Sequence, residues 1–165
     1  DWENFLLACN MCNSCKKDAD VDLERTHFPH RDNTYMDFIY DESGRVTVNP
    51  ALPKEEYEKA ENLYNLVKMG RDPFGEEATS NRDFRWRTRF QTWNIAKKYL
   101  GKYEAGKSDL DDILELVKGY GHWSIWFTVF KGHDEVRKAL IENTPGTCAA
   151  CFDAGNHYEP MHRKA

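Results

Sequence analysis

At 165 residues the chain is long enough for one compact domain, or for a small metal-stapled module joined to a larger helical body. Its 40% hydrophobic and 13% aromatic content excludes the disordered and fibrous classes. A formal net charge of −5 does not advertise nucleic-acid binding, because backbone phosphates are normally met by a basic surface. The charge is unevenly spread, however: Arg82, Arg85, Arg87 and Arg89 lie close together, whereas acids gather at Glu55 to Glu61 and at Asp109 to Glu115. No run approaches the roughly 18 apolar residues of a membrane span, and the first residues lack the basic-then-apolar order of a secretory signal. The expectation is a cytoplasmic protein that does not engage a membrane. Five cysteines, an odd number, then argue for metal ligands and free thiols over a disulfide framework.

In chain order, Cys9-x-x-Cys12 predicts a cysteine knuckle, and the polar tract after Cys12 predicts a short helix running to about Asp20. Residues 21–34 predict a loop: Pro29 and the Arg31-Asp32-Asn33 turn chemistry interrupt any periodicity. Within it Phe28 and Pro29 are expected to pack while His27 and His30 stay solvated. Tyr35 to Tyr40 and Arg45 to Val48 flank Asp41-Glu42-Ser43-Gly44, which predicts a short β-hairpin with Gly in the turn. Pro53 then opens a helix carrying Tyr57, Ala60, Leu63, Tyr64 and Val67 at helical spacing, with Gly70 placed to stop it. A second helix is expected from Ser80 as N-cap, with Phe90, Trp93 and Leu100 on one side and Gly101 at its end. Ser108-Asp109-Leu110-Asp111 predicts a capped start with acids in the first turn, followed by Ile113, Leu114 and Val117. Two short helices follow, near His122 to Phe130 and His133 to Asn143, before Pro145-Gly146. Trp123, Trp126, Phe127 and Phe130 read as core. There is no internal repeat.

The sharpest local signal is Cys9-x-x-Cys12, because two thiolates on a tight turn can supply half of a tetrahedral Zn²⁺ site. Cys148-x-x-Cys151 is a second such pair, and whether it completes that site stays open at this point, while Cys15 is expected to be a free thiol. On the basic stretch, Arg82, Arg85 and Arg89 share one helix face by i, i+3 and i+4 spacing, with Trp86, Phe90 and Trp93 on another. That division predicts one face for phosphate, or an ordinary solvated face, and one for core. His122 and His133 are expected at solvated helix starts, and His157 and His162 in a polar tail.

Asn4-Phe5, Cys9, Cys12, Asn13 and Lys16 follow the order Asn-Leu-x-x-x-Cys-x-x-Cys-His/Asn-x-x-Lys, and this stretch resembles the second half of the HNH nuclease motif. Trp2, the Leu6-Leu7-Ala8 run, Phe28-Pro29, a hairpin with Gly44, a helical body, and Pro145-Gly146-Thr147 before Cys151-Phe152-Asp153 make the chain similar to HNH subunits of bacterial antiphage defence, of the Septu and retron-associated kind. The resemblance implies an α+β fold. Residues 1–34 would be the second half of a zinc-braced ββα-metal knuckle, and residues 35–165 a β-hairpin plus a mostly α-helical body. It implies hydrolysis of phosphodiester bonds in DNA beside an ATPase partner subunit. Asn4 would hold the ββα loop, Asn13 would bind a catalytic Mg²⁺ or similar divalent ion, and Cys9 and Cys12 would bind structural Zn²⁺. Lys16, Lys17, Arg85 and Arg89 would contact nucleic acid. The family's water-activating His and its first cysteine pair precede the matched stretch, so they are expected upstream of Asp1. The competing expectation, of another class, is a non-catalytic zinc-knuckle module whose helical body binds a protein.

Overall fold

A computed structural model of the chain describes residues 9–73, 75 and 82–163. Among these are six α-helices and two small two-stranded antiparallel sheets, so the fold is mixed α+β and mostly helical. By their internal contacts the residues divide into two units. One holds the chain up to Asp83 apart from the tip of the hairpin, and the other holds that tip, Tyr40–Arg45, with the chain from Phe84 onward.

In the first unit, helix α1 (Asn10–Lys16) precedes a long irregular stretch, strands β1 (Phe38–Tyr40) and β2 (Val46–Val48), and helix α2 (Lys54–Leu66). Pro53 stands at the N-cap of α2, with Glu55 and Glu56 in the first turn where the helix dipole favours acids. The helix ends at Leu66, four residues before the expected Gly70 stop: Val67 caps it and Lys68 takes φ +50°. Its buried stripe, Ala60 and Leu63, lies with Phe38, Val46 and Val48 in a small core, and the Tyr64 hydroxyl donates to Val46 O at 2.9 Å. The strands are shorter than the sequence runs suggested, though the hairpin itself stands.

The second unit contains α3 (Arg85–Glu104), α4 (Leu110–Tyr120), α5 (Trp123–Val129) and α6 (Asp134–Asn143). A 3-10 turn (Ala149–Cys151) then leads into β3 (Phe152–Asp153), which pairs with β4 (Glu159–Pro160). Helix α4 starts on a reciprocal cap, in which Asp109 accepts from the Asp112 N–H and Asp112 from the Asp109 N–H. Ser80, the expected N-cap of α3, lies outside the described residues; α3 itself begins at Arg85 and runs through Gly101 to Glu104. Trp126, Phe127 and Phe130 are fully buried with Ile113, Ile125, Val136 and Leu140, which makes the aromatic run of α5 the centre of this core. Thr92 and Ala96 are the fully buried residues of α3, small enough for α5 to pack close.

The hairpin tip is built around Asp41, whose Oδ1 accepts from the N–H groups of Ser43 at 2.9 Å and Arg45 at 3.1 Å. Gly44 takes φ +80°, and a Cβ placed there would meet Trp86 O at 2.8 Å and Phe90 N at 2.9 Å. Only glycine combines that dihedral with that approach. Gly44→Ala is therefore expected to lower unfolding stability by about 2 kcal/mol or more, read as a reduced urea midpoint at unchanged m value; an unaltered midpoint would contradict this packing.

Candidate functional site

Helix α1 begins directly at the Cys9–Cys12 turn. Cys9 is its N-cap in extended conformation, and its Sγ accepts the Cys12 N–H at 3.4 Å. The first helical bond follows, from Asn13 N–H to Cys9 O at 3.0 Å. The helix thus begins inside the Cys9–Cys12 turn and stops at Lys16, because Lys17 turns to φ +49° and returns its N–H to Asn13 O. It does not reach Asp20. Cys9, Asn13, Lys16 and Lys17 are exposed and Cys12 is half-buried. Asn13 and Lys16, three apart, share a face. Cys15, half-buried, accepts from Arg71 Nη1 at 3.8 Å. Asn4 lies outside the described residues.

None of the seven residues of α1 is buried. Helices this short are marginal when isolated, and most protein helices gain their stability from a buried face. Two cysteines, with an N–H donated to one sulfur, make a donor set that fits half of a four-coordinate zinc site. Among the described residues no group of three or more His, Cys, Asp and Glu side chains is arranged to hold a metal ion.

The second cysteine pair is built differently. Cys148 begins the 3-10 turn, the Cys151 N–H donates to Cys148 O at 2.9 Å, and the two thiols hydrogen-bond each other. Cys151 is buried, and that burial, with Cys148 beside it, pushes its thiol up to about 11. All five cysteines are free of disulfides. Ala149 and Ala150, between the pair, are exposed.

The histidines separate in a way the sequence did not show. His30 is exposed as expected, but His27 is buried. Its Nδ1 lies 3.0 Å from Asp37 Oδ2 and its Nε2 lies 3.2 Å from Glu56 Oε2. The His27 N–H also donates to Lys59 O at 3.3 Å. Nothing in local periodicity announces this cluster, since its members stand ten and nineteen positions apart; the consecutive burial of Thr26, His27 and Phe28 is its only local trace. His122, also expected to be solvated, is half-buried, with Nε2 2.9 Å from Thr88 Oγ1. Burial and the Arg89 guanidinium hold its pKa below the usual imidazole value. His133 meets Glu104 at 3.2 Å and the exposed His157 meets Asp134 at 2.8 Å.

On α3 the expected faces are reversed at two positions. Arg89, placed on the solvated side by its spacing, is 5% exposed and donates from Nε to Gly44 O at 2.8 Å. Phe90, placed in the core, is 40% exposed. Arg85 is half-buried and Arg82 exposed. The reason lies in the hairpin tip, whose free carbonyl can be reached by a guanidinium but not by an aromatic ring.

No protein-family model, curated protein or solved structure matches the chain.

Burial is the largest influence on Asp37 and pushes its carboxyl up to about 6 from 3.8, against the lowering effect of His27. A carboxyl whose pKa is higher folded than unfolded contributes stability that is complete below the unfolded value and lost as pH rises through the folded one. Between pH 3.8 and about 6 the protein is therefore expected to lose stability relative to its Asp37→Asn variant. Paired urea melts across that window check this, and parallel curves would contradict it.

Proposed function

We propose that this chain belongs to a metal-dependent HNH endonuclease subunit that hydrolyses phosphodiester bonds in DNA, as the effector of a bacterial antiphage defence complex that includes an ATPase subunit. The observation that carries the reading is the Cys9–Cys12 turn, closed by an N–H···S bond and opening directly into the helix that presents Asn13 and Lys16 to solvent. Motif order alone would have left these residues as letters; the turn gives the thiols and the amide one rigid origin.

In this reading Cys9 and Cys12 supply two zinc ligands, and the zinc replaces the buried face that α1 lacks. The Asn13 side-chain oxygen is the ligand for the catalytic ion. A divalent ion bound there would supply polarisation of the scissile phosphate and stabilisation of the leaving oxygen. Lys16 and Lys17, both exposed at the end of the helix, would neutralise flanking phosphates. Asn4 would brace the preceding loop, and the water-activating His would come from the part of the motif that precedes Asn4, as the resemblance implies. Arg89 is turned onto Gly44 O and Arg85 is half-buried, so this reading puts the phosphate contacts first on Lys16 and Lys17.

The test is Mg²⁺-dependent nicking of supercoiled plasmid by the full-length protein. Asn13→Ala should reduce nicking by at least about 100-fold, the scale on which a group that stabilises developing charge is lost, with bound zinc unchanged. Nicking equal to that of the unsubstituted protein would remove Asn13 from the site. No nicking by the unsubstituted protein, with zinc bound, would leave the zinc-knuckle interaction module as the better description.

A further inference from the structure

Helix α3 carries six Lys or Arg residues and one acid, Glu104, in a chain whose formal net charge is −5. Once the buried Arg89 and the half-buried Arg85 and Lys102 are set aside, the cations exposed on it are Arg87, Lys97 and Lys98. Among the described residues no ion pair engages any of these three. At about 100° per residue they fall on one arc of the helix with Gln91, Asn94 and the exposed ring of Phe90, and Phe84 at the N-cap falls on the same arc. Phe84 is 57% exposed and Phe90 40% exposed, two of the few large apolar side chains left in solvent. Phe90 stacks on Trp86 at an interplanar angle of 10°, which fixes the orientation of its ring. No acidic side chain interrupts the arc between Phe84 and Gly101.

Each half of this pattern has a plain explanation by itself. Exposed lysines on a helix are ordinary, and scattered exposed apolar residues need no function. Their coincidence on one acid-free arc of an otherwise acidic chain is different. A protein partner would favour an apolar centre with a polar rim, whereas here the rings stand among cations. A duplex presents its phosphates but keeps its base faces stacked away from side chains. Unpaired nucleotides offer both a phosphate chain and free π-faces, the combination that mixed aromatic and basic surfaces bind. From Phe84 to Lys98 the arc extends about 21 Å, room for several nucleotides.

We propose that the outer face of α3 binds single-stranded nucleic acid, with Arg87, Lys97 and Lys98 on phosphates and Phe84 and Phe90 stacked on bases. This deepens the nuclease reading by naming unpaired strands as its substrate class, and rests on that reading only for the choice of DNA.

The experiment measures anisotropy of a labelled oligothymidine on the full-length protein without added Mg²⁺, over a salt series. Binding is thereby read apart from cleavage, so that it can succeed where the nicking assay of the nuclease reading fails. Changing Arg87, Lys97 and Lys98 together to Gln should reduce the slope of log affinity against log salt by about 2. Phe84→Ala should weaken binding by about ten-fold at unchanged slope, and Phe84→Trp should restore it, as stacking requires. Unaltered thermal midpoints would establish that the exposed substitutions leave the fold intact. Three results would overturn the proposal: equal affinity for a duplex of the same length, Phe84→Leu binding as well as phenylalanine, or a slope that the triple substitution does not move. The first would make the face a general polyanion surface, and the second an apolar contact such as a protein would make.

Discussion

A buried basic side chain organises each unit. In the first, the His27 ring lies between Asp37 and Glu56, which links the long irregular stretch after α1 to α2. Burying a polar side chain is costly unless its hydrogen bonds are made. Here both ring nitrogens and the backbone N–H find hydrogen-bond partners, and Asn62 adds a hydrogen bond to Arg25 O at 2.6 Å. In the second unit Arg137 has the same role. It is almost fully buried, lies 4.3 Å over the Phe127 ring, and donates to Phe127 O, His157 O and Glu159. Arg137 thereby ties the C-terminal hairpin to α5 and α6. Arg89 on Gly44 O completes the set.

These three residues also mark where sequence reading stops. The hairpin, α2, the doubly capped start of α4 and the aromatic core of α5 were legible, because each is signalled by residues within one or two turns of one another. His27, Arg89 and Arg137 are polar residues whose partners arrive from distant parts of the chain, and composition assigns such residues to the surface. Arg89 shows the consequence clearly. A carbonyl at the hairpin tip draws the guanidinium inward, and Phe90 next to it is left half in solvent. The amphipathic face drawn from spacing alone was rotated accordingly. Helix lengths failed for a smaller reason: Lys17 and Lys68 adopt positive φ, which ends α1 and α2 without the glycine that usually signals it.

For the candidate site, Cys9, Cys12 and Asn13 were legible as motif order, whereas the N–H···S closure and the absence of any buried residue on α1 were not. That absence links fold to chemistry. On a seven-residue helix with no fully buried residue, a metal held by the N-cap cysteine and by Cys12, as proposed, would add order and place the ligand for a second ion one residue further on. The other cysteine pair, whose buried thiol is raised to about 11, reads as part of the packing around Phe152.

The proposed nuclease site requires zinc at the first cysteine pair and not at the second. Zinc content of the purified full-length protein, compared between a Cys9→Ser/Cys12→Ser variant and a Cys148→Ser/Cys151→Ser variant, measures this directly. The expected result is loss of bound zinc in the first and retention in the second; zinc retained when Cys9 and Cys12 are replaced would contradict the central claim.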